Sequence, residues 1–229
     1  MLRKIRLIAA TLCFVLITLL FLDFTGTLHG WFGWLAKIQF LPAVLALNVG
    51  VVLFLVLLTL AFGRVYCSAI CPLGVFQDVI ARIGRRGKKL PYSYSPALSW
   101  LRYGVLFVFV LALVAGVGSL VALLAPYSAY GRIANNLFQP LWMWGNNLFA
   151  YLAARVESYA FYEVDVWMKS LPTFLAALAT LVVLVVLAWR NGRTYCNTIC
   201  PVGTVLGFIS RYSLYRVTID TDKCNSCGL

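Results

Sequence analysis

Long apolar stretches set the strongest limit on what this chain can fold into. Four of them reach or approach the roughly 20 residues that an α-helix needs to cross the hydrocarbon core of a bilayer. Of the 229 residues, 62% are hydrophobic and only 11% are charged, far from the composition of a soluble domain. The sequence therefore predicts an all-α polytopic membrane protein. The predicted transmembrane helices cover roughly residues 7–22, 43–62, 101–124 and 173–189.

The first apolar stretch follows a basic start, as the core of a secretory signal would. The residues after it, 23–26, read D-F-T-G and lack the small-x-small pattern at which such a signal is cleaved. We therefore expect a retained anchor, which keeps the number of predicted spans at four.

The formal net charge of +12 could indicate a nucleic-acid partner, so its distribution along the chain matters. Most basic residues precede the first predicted helix, lie between the second and third, or follow the fourth. By the positive-inside rule, both termini and the middle loop are cytoplasmic. We therefore predict a multi-pass protein of the bacterial cytoplasmic membrane, surrounded by lipid and without a nucleic-acid partner. The basic run at residues 85–89 fits a stop signal that faces lipid headgroups.

One pattern of twelve residues occurs twice in the chain. Residues 63–74 read G-R-V-Y-C-S-A-I-C-P-L-G and residues 192–203 read G-R-T-Y-C-N-T-I-C-P-V-G, so eight positions are identical. Cys67 and Cys196 are 129 residues apart (196 − 67), and a Leu-Pro pair opens the predicted helix before each motif. Such a match indicates an internal repeat.

Each repeat is predicted to be a pair of transmembrane helices ending in a cysteine motif, residues 1–100 for the first and 101–216 for the second. Because each contains two crossings, the repeats enter the membrane in the same sense, as a parallel two-plus-two arrangement. A pseudo-twofold axis along the membrane normal would bring both motifs together at the cytoplasmic face. Residues 217–229 are expected to start a truncated cytoplasmic unit of ferredoxin type.

The outer loop of the second repeat, residues 125–172, is long and rich in aromatic residues. An interfacial belt with amphipathic helices among the headgroups is favoured over a quinol pocket at that face. Quinol oxidation would also need a proton acceptor, for which the outer loops offer His29, Glu157, Glu163 and Asp165. The aromatic residues of the loop are Tyr127, Tyr130, Phe138, Trp142, Trp144, Phe149, Tyr151, Tyr159, Phe161, Tyr162 and Trp167.

Six of the seven cysteines fall in closely spaced pairs. Cys13 is the exception and is expected to act as a small hydrophobic residue inside the first helix. The paired cysteines belong to predicted cytoplasmic segments, a reducing compartment where close pairs indicate metal or redox chemistry rather than disulfides. The candidate cofactor and metal ligands are Cys67, Cys71, Cys196, Cys200, Cys224 and Cys227.

The spacing of the first two pairs points to iron and sulfur. C-x3-C followed at once by proline ends the bacterial ferredoxin run C-x2-C-x2-C-x3-C-P, whose thiolates hold a cluster. The proline suits the first turn of an outgoing helix, where its missing amide hydrogen costs nothing. Helix-start amides, together with Arg64 and Arg193, are expected to favour thiolates. Cys224 and Cys227 open a further run, C-x2-C-G, that has no third and fourth cysteine in this sequence.

Other metals fit the pattern less well. Zinc would suit four thiolates in two pairs, but its pairs are typically C-x2-C. A copper site or a thiol–disulfide relay stays open as a further alternative, favoured less than an iron–sulfur cluster and more than zinc. A c-type haem needs C-x-x-C-H, which is absent, and His29 is the single histidine, so a haem with two histidine ligands from this chain is excluded.

The motifs at residues 66–74 and 195–203, their position after membrane helices and the run that starts at Cys224 together carry a resemblance. The chain resembles the membrane-bound 4Fe-4S ferredoxin-type family. That family includes the quinol-oxidising membrane subunit of periplasmic nitrate reductase systems, the nitrous-oxide reductase regulator and the cytochrome oxidase accessory protein. The resemblance implies redox roles for the four motif cysteines and a cytoplasmic domain with two four-cysteine runs, of which this sequence holds Cys224 and Cys227.

The predicted function is electron transfer. Clusters near the motif cysteines would pass electrons from quinol or a cytoplasmic donor to a redox partner protein, which would make the chain a subunit of a quinol-linked oxidoreductase. Two alternatives stay open. One is an assembly or regulatory protein whose cysteines deliver or reduce a metal such as copper. The other is a transporter, although the predicted helices contain few of the charged residues that translocation paths use.

Overall fold

The computed structural model describes residues 2–23, 26–85, 98–155, 162–166 and 170–215, and the regular secondary structure in these ranges is entirely helical. The predicted all-α class is confirmed. The predicted unit at residues 217–229, with Cys224 and Cys227, lies outside the described residues. In chain order the helices are α1 (Leu2–Leu22), α2 (Thr27–Phe32), α3 (Trp34–Lys37), α4 (Phe40–Leu45), α5 (Val49–Phe62), a π-helical turn (Tyr66–Ile70), α6 (Pro72–Arg85), α7 (Ser99–Val114), α8 (Gly118–Leu124), α9 (Pro126–Ile133), a second π-helical turn (Ala134–Phe138), α10 (Gln139–Ala154), α11 (Leu171–Asn191), α12 (Thr194–Thr198), α13 (Pro201–Ile209) and a 3-10 turn (Ser210–Tyr212).

Among the described residues, α1 and α11 are long and apolar enough to cross a membrane. The other two predicted spans are interrupted. The second is divided between α4 and α5 at residues 46–48, and the third between α7 and α8 at residues 115–117. Each repeat therefore combines one continuous helix with one broken helix, in opposite order along the chain.

Both interruptions contain a residue in the left-handed backbone region. Leu47 has φ 52°, and the side chain of Asn48 then caps α5 by accepting a hydrogen bond from Val51 N at 3.4 Å. Gly116 has φ 72°, a conformation that glycine adopts without a Cβ clash. A left-handed residue ends one helix and redirects the next, which the run of apolar residues does not reveal.

Helix α9 lies in the core, although its residues were predicted to form part of an interfacial outer loop. Tyr130 is fully buried, with its hydroxyl 2.6 Å from Thr18 Oγ1 and its ring 6.0 Å from the Phe76 ring. The belt prediction is wrong for Tyr130 and for the half-buried Tyr127 and Phe138, because this segment packs between α6 and α11. Trp142, Trp144, Phe149, Tyr151 and Tyr162 are exposed, as a belt requires. Tyr159, Phe161 and Trp167 lie outside the described residues.

The helices that leave the two motifs exchange partners between the repeats. Helix α6 packs along α11 of the second repeat, and α13 packs against α5 of the first repeat and against α7. Near the start of α6, Phe76 stacks on Phe14 in the middle of α1 at 6.4 Å. Near its end, Gly84 leaves room for the ring of Trp189, close to the end of α11. The first motif therefore lies inside the bundle, and α6 leads back from it toward the end of α11.

Candidate functional site

Each cysteine motif begins with a glycine that ends the helix before it. Gly63 and Gly192 both have φ 71°, in the left-handed region that favours glycine. Within three residues of each glycine, the backbone enters the short segment Tyr66–Ile70 or Thr194–Thr198, which contains the first cysteine of its pair. The shared first glycine of the repeat is thus explained by backbone geometry.

The prolines of the motifs open α6 and α13, as predicted, and the cysteine before each proline lies at the helix start. Cys200 caps α13, because its Sγ accepts a hydrogen bond from Gly203 N at 3.4 Å. The amides of residues 73 and 74 interact with Cys71 in the corresponding way. Each helix start therefore directs amide hydrogens at a sulfur.

The last glycine of each motif packs against the main chain of the first cysteine. A Cβ at Gly74 would overlap the carbonyl oxygen of Cys67, and a Cβ at Gly203 would overlap that of Cys196. These are main-chain atoms, which cannot move aside as the end of a flexible side chain can. Glycine at these two positions lets each outgoing helix lie directly on its cysteine turn.

The four motif thiols come together from the two repeats. Cys67, Cys71, Cys196 and Cys200 are free and buried, with at most 8% of each residue exposed. Electrostatic interactions link Cys71 with Cys67, Cys200 with Cys71, and Cys196 with both cysteines of the first motif. In the part of the chain that the structure describes, no group of three or more His, Cys, Asp or Glu residues is arranged to hold a metal ion. The thiols share one buried region without closing around a single ion.

Burial governs the acidity of these thiols. It raises the pKa of Cys71 to about 12 and also raises the pKa of the other three motif cysteines. Arg64 and Arg193 act to lower the pKa of Cys67, but burial outweighs them. The arginines and the helix-start amides act in the predicted direction, but in the metal-free protein desolvation penalises the charged form more than they favour it.

Four buried thiols need a positively charged partner before they can ionise together. Metal coordination supplies one, since the thiolate is the ligand and binding releases the proton. An all-cysteine donor set with helix-start amides directed at its sulfurs fits an iron–sulfur cluster, whose properties depend on hydrogen bonds to sulfur and on burial.

One side chain outside the motifs contacts a motif sulfur directly. Gln77 of α6 is fully buried, and its Nε2 donates a hydrogen bond to Cys196 Sγ at 3.3 Å. The equivalent position in the second repeat is Leu206, which has no donor. Sequence reasoning missed Gln77, and the available signal was a glutamine in the first repeat at the position where the second repeat has Leu206.

The arginine of each motif reaches into the other repeat. Arg193 forms a bidentate ion pair with Asp78 of α6. Arg64 Nη1 donates a hydrogen bond to Asn197 Oδ1 at 2.8 Å. The two arginines therefore join the halves around the thiols, a role that their equivalence in the repeat did not by itself predict.

The tyrosine of each motif is buried near the thiols and also contacts residues outside the motifs. The hydroxyl of Tyr66 donates to Gln39 Oε1 at 2.9 Å and accepts from Phe40 N at 3.0 Å. Tyr195 interacts electrostatically with Arg132 at the end of α9. The two tyrosines thereby connect the motifs to Gln39, Phe40 and Arg132, which the sequence analysis placed in outer loops.

A cavity of about 350 Å³ opens beside Arg132. It lies where the end of α1, α9 and the start of α11 meet, and Arg132 itself is fixed by donating to the carbonyls of Ala122 and Leu123 at 2.6 and 3.1 Å. Its volume is at the lower end of the range for small-molecule sites. The lining residues are Phe21, Tyr127, Ser128, Gly131, Arg132, Asn135, Asn136 and Thr173.

The residues predicted to accept protons from quinol do not line this cavity. His29, Glu163 and Asp165 are exposed, and Glu157 lies outside the described residues. Cys13 is a free, half-buried residue of α1.

Comparison with known proteins agrees with the duplicated site. A family model described as a 4Fe-4S binding domain matches residues 44–91 and 173–218, so each match contains one cysteine motif. No solved structure is significantly similar to this chain.

Three relatives with assigned names are similar at low identity. The putative electron transport protein YccM of Escherichia coli is 23% identical over 196 residues, which cover 82% of this chain and 46% of YccM. The methylamine utilization ferredoxin-type protein MauN of Paracoccus denitrificans is 26% identical over 196 residues, covering 82% and 53%. The ferredoxin-type protein NapH of Haemophilus influenzae is 29% identical over 190 residues, covering 82% and 52%. The chain spans about half the length of these relatives.

The resemblance found in the motifs and the matches found by comparison agree on both copies of the cysteine site. The matches indicate iron–sulfur chemistry of the 4Fe-4S type, and one of the relatives that share them is named as a putative electron transport protein. The chain is similar to ferredoxin-type proteins, and two of its segments match the 4Fe-4S binding domain.

Proposed function

We propose that Cys67, Cys71, Cys196 and Cys200 ligate one shared 4Fe-4S cluster inside a membrane-embedded helix bundle. The observation that carries this proposal is the burial of all four thiols, two from each repeat, in one electrostatically coupled group. Bound there, the cluster would supply reversible one-electron transfer. The protein's part is to hold the ligands, exclude water and set the potential.

Two features support placement of this bundle in a membrane. Helices α1 and α11 have spanning length. The broken helix α4–α5 does not, because Phe40 at its start hydrogen-bonds to Tyr66, which follows its end. The outward faces of these helices are apolar, which lipid accommodates and water does not. Exposed large apolar residues include Leu12 and Val15 of α1, Phe54 and Leu57 of α5, Phe107 and Leu111 of α7, and Val182 and Val186 of α11. The basic residues that flank the spans favour cytoplasmic termini.

The electron donor in this proposal is a membrane quinol bound in the cavity beside Arg132. The cavity combines the aromatic rings of Phe21 and Tyr127 with polar groups such as Asn136, the mixture that a quinol ring and its hydroxyls require. Arg132 interacts with Tyr195, which is adjacent in sequence to Cys196. The cavity therefore lies within reach of the second motif, and electrons would leave through the cluster to a redox partner.

The shared cluster is tested by anaerobic purification in detergent, with assays of iron and acid-labile sulfide and electron paramagnetic resonance. Cys67→Ser alone and Cys196→Ser alone should each remove the signal of the motif cluster, because each takes a ligand from the same group. Cys13→Ser is the matched control and should leave the signal intact. A signal that survives either single motif change would overturn the shared site. Copper bound by the thiols without labile sulfide would instead favour the metal-assembly alternative.

The donor is tested in liposomes by the rate at which a reduced quinone analogue reduces the cluster. Arg132→Met and Asn136→Leu should slow this rate by about tenfold or more, since each removes a polar contact within the cavity. His29→Ala and Asp165→Asn remove exposed polar groups outside the cavity and should not change it. Equal rates in all four variants would exclude this cavity as the donor site.

A further inference from the structure

The two repeats differ at one pair of equivalent positions beside the motif arginines. In the first repeat, α6 supplies Asp78, which pairs with Arg193 of the second motif. The equivalent residue of α13 is Gly207, at the same 129-residue offset (207 − 78). Arg64, the equivalent of Arg193, lies against Gly207 in the place that a carboxylate would occupy.

A second arginine enters the same space. The terminal nitrogens of Arg64 and Arg102 both converge on the point where a Cβ of Gly207 would stand. Arg102 Nη2 donates to the carbonyl of Thr204 at 3.2 Å, while its Nε is buried without a hydrogen-bond partner. Arg211 lies close enough to act electrostatically on Arg102. The guanidinium groups of Arg64 and Arg102 therefore meet where the other repeat has one arginine and one carboxylate, and the exposed Arg211 adds a third positive charge nearby.

Within the described residues, no carboxylate forms an ion pair with any of these three arginines. Like charges held close together in a partly desolvated setting repel one another unless a counter-charge is present. Guanidinium groups that converge with free N–H donors match the oxygens of a phosphate group better than any neutral ligand.

We propose that Arg64, Arg102 and Arg211 form a binding site for a phosphate-type oxyanion over Gly207. The oxyanion takes the place that Asp78 fills beside the other motif, so the site restores the charge balance that the pseudo-twofold repeat lacks on this side. The ligand is a lipid phosphate headgroup or a free phosphate ion, both of which present the same oxygens to the arginines. The site is separate from the proposed cluster ligands, because none of its residues hydrogen-bonds to a thiol within the described structure, although Arg64 also acts electrostatically on Cys67.

The test measures the thermal unfolding of the full chain in a neutral detergent, titrated with inorganic phosphate in one arm and with phosphatidylglycerol in mixed micelles in the other. Phosphatidylcholine in the same micelles gives the effect of lipid without net charge. A bound oxyanion should raise the melting temperature of the wild type by about 5–10 °C at roughly 100 times its dissociation constant. A shift in both arms supports a shared oxyanion site. A shift with phosphatidylglycerol alone identifies the headgroup, and a shift with phosphate alone identifies the free ion.

Two variants separate the site from general surface charge. Gly207→Asp places a carboxylate where the first repeat has Asp78, so it should abolish the ligand shift. Arg102→Gln removes a donor without adding bulk and should weaken binding by about tenfold or more. Arg190→Gln removes one exposed positive charge at the end of α11 and should leave the shift unchanged. No shift of the wild type in either arm, or equal losses in Arg102→Gln and Arg190→Gln, overturns the proposal.

Discussion

The guanidinium of Arg193 and the carboxylate of Asp78 form a bidentate ion pair between the second cysteine motif and the first outgoing helix. Both side chains are about one-third exposed, 28% and 33%, so the pair is partly withdrawn from water. Asp78→Asn should lower the free energy of unfolding by about 1–3 kcal/mol, because it leaves a partly desolvated guanidinium without its charged partner. Unfolding by sodium dodecyl sulfate in mixed micelles measures this change.

Asp165→Asn is the control for that change, because Asp165 is exposed and its loss should be close to neutral. A double-mutant cycle with Arg193→Gln isolates the pair itself. If the two single changes simply add, the ion pair contributes nothing to the contact between the repeats.

Gly74→Ala and Gly203→Ala should each reduce cluster content. The added Cβ would overlap the main-chain carbonyl of Cys67 or Cys196, so the cysteine turn must shift away from its helix. Iron and labile sulfide per chain measure the loss, with circular dichroism to check that helix content is kept. Gly104→Ala is the control, since a Cβ there meets nothing within 4 Å. Full iron content in both motif variants would contradict the tight packing described here.

Gln77→Leu should make the potential of the cluster more negative. The change removes the hydrogen bond to Cys196 Sγ and copies the residue that the second repeat has at Leu206. Hydrogen bonds to sulfur stabilise the more negative reduced state, and 59 mV corresponds to about a tenfold change in a one-electron equilibrium. We therefore expect a shift on the order of 60 mV, measured by redox titration with electron paramagnetic resonance detection.

The control for Gln77→Leu is Gln39→Leu. Gln39 is also fully buried, but it hydrogen-bonds to Tyr66 rather than to a sulfur. The same shift in both variants would mean that the potential responds to packing in general and not to the contact with Cys196.

Leu47→Gly should stabilise the protein by up to about 1 kcal/mol, because a leucine at φ 52° carries strain that glycine does not. Leu45→Gly, two positions earlier in helical α4, should instead destabilise it by about 1 kcal/mol. Both leucines are exposed, so packing losses are similar. Unfolding in mixed micelles compares the stabilities of the two variants. A loss of stability in Leu47→Gly would show that the leucine at this position carries no strain that glycine relieves.

The sequence predicted the elements that depend on local pattern. Apolar runs located α1 and α11, and the proline of each motif marked the start of α6 and α13. It did not predict the breaks at Leu47 and Gly116, because a single left-handed residue leaves the hydrophobic pattern of a helix unchanged. Nor did it predict that α9 enters the core, since aromatic residues suit a headgroup belt and a packed interior equally well.

The cysteine pairs were visible as a repeat, but their surroundings were not. Gln77 and Asp78 act on the second motif from the first repeat, at a distance of more than 100 residues along the chain. Such contacts depend on the exchange of α6 and α13 between the repeats, which local spacing does not encode. Burial likewise outweighs the arginines in setting the pKa of Cys67, an effect that depends on how the folded chain surrounds the thiol.

The exchange of α6 and α13 also sets the order of events during biosynthesis. The ribosome completes Cys67 and Cys71 long before Cys196 and Cys200, and α6 has no α11 to pack against until the second repeat is inserted. The proposed shared cluster would therefore be loaded only after the second motif has been made. In that proposal, cluster delivery is a step that follows synthesis of both repeats, not one that guides it.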